Sequence, residues 1–170
     1  LRIETFIRDL PIIGSTVAVL LAWDHYCGYL WAGDSRIYLC RGGRLRRLTR
    51  DHSYVEEVRS RCDPNADDTL HRPPPNLITR AVGIADTLDL EEGVIDVIDG
   101  DVFLLCTDGL SNEVHDSEIG NALLQGSCRQ ASEALLAMAL KRGGHDNISA
   151  VVVRADDLHI GDRTATNPAL

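Results

Sequence analysis

Four short apolar runs crowd the first third of the chain, and their spacing constrains the fold more than any other feature. Residues 15–23, 26–32, 36–40 and 44–48 each read as a strand, separated by two or three turn-favouring residues. Gly42-Gly43 between the last two is a hairpin signal. Connections this short cannot hold a crossover helix, so antiparallel sheets are expected, not βαβ units.

The rest of the chain adds helices. Residues 54–61 read as a short helix, with Ser53 as its cap and Glu56 completing a capping box. Residues 61–76 carry Pro64 and Pro73-Pro74-Pro75 and read as a loop, with 62–76 expected to be the least ordered internal stretch. Residues 88–98 read as a strand that Asp99-Gly100 turns back, as a tight hairpin, into 102–106. Asp116 is expected to cap a helix to about 124. Ser127 and Gln130 are expected to box the start of another, stopped by Gly143, with Ala131, Ala134, Leu135 and Met138 on its core face. Residues 148–153 read as the last strand. The expectation is an α+β fold, one domain over 1–155 and a polar tail over 156–170.

Charge and cysteines narrow the function classes. A formal net charge of −9 leaves no basic face to replace counterions along nucleic acid. The basic stretch of Arg41, Arg44, Arg46, Arg47 and Arg50 reads as the solvated face of a hairpin. The five cysteines, Cys27, Cys40, Cys62, Cys106 and Cys128, are odd in number and show no Cys-x-x-Cys spacing. Cys40 and Cys106 lie within apolar runs and read as small core residues. No disulfide framework or zinc site is expected, and a reducing, cytoplasmic setting is. No apolar stretch is long enough to span a membrane, and no signal peptide opens the chain.

Two acids carry the chemistry. Asp108 closes the run Asp101-Val-Phe-Leu-Leu-Cys-Thr-Asp108, and Asp146 opens Asp146-Asn-Ile-Ser-Ala-Val-Val-Val153. An acid at the mouth of a buried strand is costly unless paired or coordinated. Two such ends brought together offer the hard oxygen ligands that Mg²⁺ or Mn²⁺ takes, whereas the plain alternative is a pair of ordinary Asp-Gly and Asp-Asn turns.

Six motifs run in order: Gly14-Ser-Thr16, Trp31-Ala-Gly-Asp34-Ser-Arg36-Ile-Tyr38, Leu48-Thr-Arg-Asp51-His52-Ser53, Leu77-Ile-Thr-Arg80-Ala-Val-Gly83, 101–110 and 143–153. In this series, covering 14–153, the chain resembles the metal-dependent serine/threonine protein phosphatases of type 2C, in their bacterial branch. The resemblance implies an α/β/β/α sandwich of two stacked antiparallel sheets flanked by helices. It implies two Mn²⁺ or Mg²⁺ ions, with a third, weaker site in the bacterial branch, and a metal-activated water that attacks phosphorus without a phosphoenzyme. It makes Asp108 and Asp146 ligands of the first metal and Asp51 the partner of Asp108 at the third. No catalytic residue beyond the metal ligands and no organic cofactor is implied. Asp34 and Arg36 are expected as a structural pair, 54–76 as the family's flap, and His52, His71 and His145 as packing or surface residues. Phosphoserine and phosphothreonine proteins, made by a bacterial serine/threonine kinase, are the implied substrates.

The resemblance stops short at the front. The family's phosphate-binding Arg, its Asn-Glu-Asp and its Asp-Gly-x-Gly-Gly do not occur before Gly14, so about half of the metal shell is in hand. The retained acids favour a fragment of a longer phosphatase, inactive alone, over a degenerate pseudophosphatase serving as a binding module. A remoter alternative is a serine esterase with Ser35 as nucleophile and Asp156 with His159 as its partners.

Overall fold

In the computed structural model, which describes residues 13–61, 77–85 and 87–156 apart from the side chains of 59–61, the close-set apolar runs form two antiparallel sheets. The strands are β1 (Val17–Trp23), β2 (Tyr26–Ala32), β3 (Arg36–Arg41), β4 (Arg44–Arg47), β5 (Glu91–Asp96), β6 (Val102–Cys106) and β7 (Ala150–Arg154). The helices are α1 (Tyr54–Arg61), α2 (Asp108–Ser111), α3 (Asp116–Leu123) and α4 (Cys128–Lys141). One sheet has the order β1-β2-β5, the other β4-β3-β6-β7. The expected loop over 62–76 and the tail beyond 156 lie outside the described residues.

Alternation along β3 and β6 decides what each sheet packs against. Tyr38 and Cys40 of β3 share one face with Val102, Leu104 and Cys106 of β6, and that face is buried under Leu110, Ile119, Leu123, Ala131 and Leu135 of the helices. Leu39 and Phe103 point the other way, onto Cys27 of β2, with Leu20 and Ile95 beside them. The sheets therefore stack face to face, with helices outside the four-stranded one. Each fully buried Leu or Phe here contributes about 1.5–3 kcal/mol. The outer face of the three-stranded sheet is different: Leu21, Trp23, Tyr26 and Val94 are all exposed there.

The tight hairpin expected between β5 and β6 does not form. The turn itself is present, with Gly100 at φ 83 and Asp101 N–H donating to Ile98 O at 3.1 Å. Yet β5 pairs with β2, and β6 with β3 and β7, so the turn passes between sheets. Asp101, 1% exposed, accounts for the divergence: its carboxylate accepts from Ile98 N–H and is gripped by the Arg41 guanidinium at 2.8 and 2.6 Å. Arg41 also donates to Asp96 O, tying the end of β3 across the stack to the end of β5.

Helix starts follow local chemistry. Ser127 Oγ accepts from Gln130 N–H at 3.3 Å and Gln130 Oε1 accepts from Ser127 N–H at 2.9 Å, the expected box on α4. On its face Ala131, Leu135 and Ala139 are buried; Ala134, expected inside, is exposed. The cap of α3 is His115, one residue before the expected Asp116, because Glu118 reaches back to His115 N–H. The short helix α2 was not anticipated from the sequence; it begins at Asp108 itself.

Candidate metal centre

Asp108 and Asp146 are brought together by the backbones that carry them. Thr107, at the end of β6, donates its hydroxyl to Asn147 O at 3.0 Å and accepts from Ser149 N–H at 3.0 Å. Its own N–H donates to Ser149 O at 3.2 Å. A Cβ at Gly109 would fall 2.5 Å from Asn147 O and 3.3 Å from the Asp146 carbonyl carbon. Glycine at 109 is thus what lets the Asp108 turn press onto the Asp146 turn. Behind them, the Arg142 guanidinium bonds Glu118 at 2.6 and 2.8 Å and Glu113 O at 2.5 Å, while His145 Nδ1 lies 2.9 Å from Glu113 Oε1. Both sides of the Gly143-Gly144 turn are therefore tied to the segment that follows α2. Arg142 holds the Glu118 carboxyl at about 2, well below its ordinary value.

Asp34, expected to be structural, is a third acid that feels the charge of Asp108. It lies in the Gly33-Asp34-Ser35 link where the chain crosses from β2 to β3. Burial, and after it the charge of Asp108, push its carboxyl above the usual range, with a smaller push from Asp51. The rule that singled out Asp108, an acid just past a buried strand, applies equally to Asp34 and would have found it.

Asp51 has different company. Arg36 Nε and Nη2 donate to its carboxylate at 3.1 and 2.8 Å, and Arg47 Nη2 lies 2.8 Å from its Oδ1. Arg36, expected to pair with Asp34, instead pairs with Asp51. The register explains it: Arg47 sits opposite Tyr38 in the β3–β4 hairpin, so Arg36, Tyr38 and Arg47 gather at one end, and Asp51 closes over them. A carboxylate with a guanidinium on each oxygen has its charge compensated before any metal arrives.

The donor set fits a hard cation. Asp34, Asp108 and Asp146 offer carboxylate oxygens, and none makes an ion pair among the described residues. Asp146 Oδ1 takes one hydrogen bond, from Asn147 N–H at 2.6 Å. Among the described residues no three acids, histidines or cysteines stand close enough to form a metal cage.

Among the described residues, the thiol and hydroxyl suited to covalent chemistry are shielded. Burial pushes the Cys106 thiol up to about 12. Ser35 is 8% exposed and its hydroxyl shares a 2.7 Å hydrogen bond with Thr16 Oγ1. His159, its suggested partner, lies outside the described residues, as does His71. His145 is exposed, and His52 is buried, as a packing histidine should be.

Comparison with known proteins agrees with this layout. A family-wide sequence profile, Protein phosphatase 2C, matches residues 6–145. Serine/threonine phosphatase stp of Listeria welshimeri is 30% identical over 154 residues, 90% of this chain and 61% of that protein. PppA, a key regulatory component of T6SS in Pseudomonas aeruginosa, superposes with a TM-score of 0.79 at 41% identity, covering 89% of this chain and 62% of that one. The catalytic domain of the serine/threonine phosphatase PstP, solved with two manganese ions, gives a TM-score of 0.75 at 31% identity over 90% of this chain and 64% of that one. The chain thus spans about three fifths of the length of the stp relative.

Proposed function

Because the chain belongs to the protein phosphatase 2C family, we propose that it provides half of the metal centre of a phosphoprotein phosphatase acting on phosphoserine and phosphothreonine. The contact of the Asp108 and Asp146 turns across Gly109 carries this reading. Asp108 and Asp146 hold one Mn²⁺ or Mg²⁺, and Asp34 flanks them on the Asp108 side. Asp51 is a brace for Arg36 and Arg47 in place of a ligand. Two cations, and a third more weakly held, complete the centre once the remaining ligands are present. Bound there, the cations supply an acidified water and neutralise charge on the phosphoryl oxygens. The chain's own part is to orient three carboxylates and to keep guanidiniums off them.

The substrates on this reading are the products of a serine/threonine kinase. Three free buried thiols, Cys27, Cys40 and Cys106, suit a reducing cytoplasm. Among the described residues no helix is long and apolar enough to cross a membrane.

The test is hydrolysis of p-nitrophenyl phosphate and of a phosphothreonine peptide, in Mn²⁺ and in EDTA, by residues 1–170 and by the full natural gene product. Negligible turnover by residues 1–170 is expected, because the family's bridging Asp and phosphate-binding Arg motifs do not occur in them, and Mn²⁺-dependent turnover is expected of a gene product that contains those motifs. Robust turnover by residues 1–170 contradicts the half-site. An inactive gene product that contains Asp-Gly-x-Gly-Gly favours the binding-module alternative.

A further inference from the structure

His52 sits at the junction of four segments. It is 4% exposed and its ring stacks on Trp31, with centroids 5.9 Å apart and planes within 15°. Its Nδ1 accepts from Gly33 N–H at 3.1 Å, and its own N–H donates to Gly33 O at 2.9 Å. Its carbonyl accepts from Thr79 N–H at 2.8 Å. Since Nδ1 is an acceptor, the ring proton sits on Nε2, which faces Glu91 Oε1 at 3.2 Å. Glu91 in turn holds Arg80 Nη1 at 3.3 Å.

This pairing is more specific than packing requires. Gly33 is bonded through both its N–H and its C=O to one residue, so its peptide planes cannot rotate without breaking a bond to His52. Gly33 sits at φ 109, where glycine is favoured, and a side chain there would collide with Thr16. The next residue is Asp34. On its other flank His52 begins the clasp where the chain leaves at Tyr54 and returns at Leu77: Ser53 bridges Ile78, and Tyr54 N–H donates to Leu77 O at 2.9 Å.

We propose that His52 is a positioning residue for the metal centre: through Gly33 it fixes the backbone that carries Asp34, and it joins that loop to the clasp at Ser53 and Ile78. This rests on the reading that Asp34, Asp108 and Asp146 serve a cation. The active element is the Nδ1 acceptor; the stacking on Trp31 holds the ring in place, and Nε2, near Glu91, makes no hydrogen bond among the described residues.

The experiment is a Mn²⁺ titration of residues 1–170 followed by loss of the free-ion EPR signal, beside the thermal midpoint of each variant without metal. An Asn carbonyl at 52 falls near the position of Nδ1, whereas a Gln amide falls near Nε2. His52→Asn is expected to keep the wild-type Kd within about twofold, and His52→Gln and His52→Leu to raise it about tenfold, the scale of an outer-shell loss. Trp31→Leu and Glu91→Gln are expected to lower Tm without changing Kd. Equal affinity of His52→Asn and His52→Gln, or a Kd that tracks Tm across all variants, overturns the proposal. So does unfolding of both amide variants, which makes His52 a packing residue. Asp108→Asn separates the two readings. If it weakens Mn²⁺ binding while His52→Gln does not, the positioning role fails and the site stands. If neither it nor the wild type shows a saturable difference, the site itself is wrong and the proposal goes with it.

Discussion

Asp51 and Asp101 each carry guanidinium contacts on both carboxylate oxygens, whereas Asp34, Asp108 and Asp146 carry none among the described residues. Both groups sit at strand ends next to the same buried sheet, and both derive from short Asp-containing turns. The difference lies in what the fold delivers to them. Arg36, Arg41 and Arg47 come from the β3–β4 hairpin: Arg41 reaches Asp101 at one end, and Arg36 and Arg47, at the end that carries Asp108, are taken up by Asp51. A compensated acid braces the fold; clustered acids without a counter-charge cost stability and make chemical sense if a cation is to arrive.

The largest stability effect should come from the compensated group. Arg41→Met strands Asp101, 1% exposed, as a buried uncompensated charge, and should cost about 3 kcal/mol in urea unfolding at pH 7. Loss of less than the noise of the measurement would show that Asp101 is satisfied by Ile98 N–H alone. Asp51→Asn leaves Arg36 and Arg47 partly buried without their carboxylate, and about 1–3 kcal/mol should be lost in the same measurement.

The uncompensated group should respond with the opposite sign. The folded-state carboxyl of Asp34 titrates above its ordinary value of 3.8, so the native state retains a proton that the unfolded chain has lost. Stability then falls as pH rises through that window. Asp34→Asn should therefore raise the metal-free Tm by a few degrees at most at pH 7, and the gain should vanish as pH falls below the ordinary Asp range. A lowered Tm at pH 7 would mean that Asp34 is braced after all. The smallest effect is expected at Glu118, held at about 2 by Arg142. Its contribution is present above the unfolded value of 4.5 and is lost as pH falls toward 2. Because the Glu118–Arg142 pair lies at the surface, with about a third of each side chain exposed, Glu118→Gln should shift Tm slightly at low ionic strength and not at high salt.

The strands were legible because their signal is local. β2 and α1 occupy the spans that the apolar run and the Ser53 cap indicate, and β3, β4 and β6 differ by a residue at most. Sheet membership was not local. Asp99-Gly100 does turn the chain, but whether β6 pairs with β5 depends on Arg41, sixty residues from Asp101 along the chain. The site was half legible for a similar reason. Asp108 and Asp146 stood out by position, and Gly109 shows how they meet. Pairing Arg36 with Asp34 overlooked which acid the guanidinium would reach, and the proposal that turns Asp34 and not Asp51 toward a metal rests on that same pairing. Arg36 leans with Tyr38 toward Arg47, so Asp51, fifteen residues on, captures it and its nearest acidic neighbour in sequence does not. The partners of His52 were out of reach, since Trp31 with Gly33 and Glu91 come from two segments remote from it in sequence.

The contrast between the two groups of acids is tested most directly by Mn²⁺ titration of residues 1–170 against Asp108→Asn and Asp51→Asn, each checked for folding by circular dichroism. Asp108→Asn should abolish saturable binding while keeping the fold, and Asp51→Asn should lose stability while its folded fraction binds Mn²⁺ as the wild type does. Binding that survives Asp108→Asn and disappears in folded Asp51→Asn would contradict the division and return Asp51 to the metal.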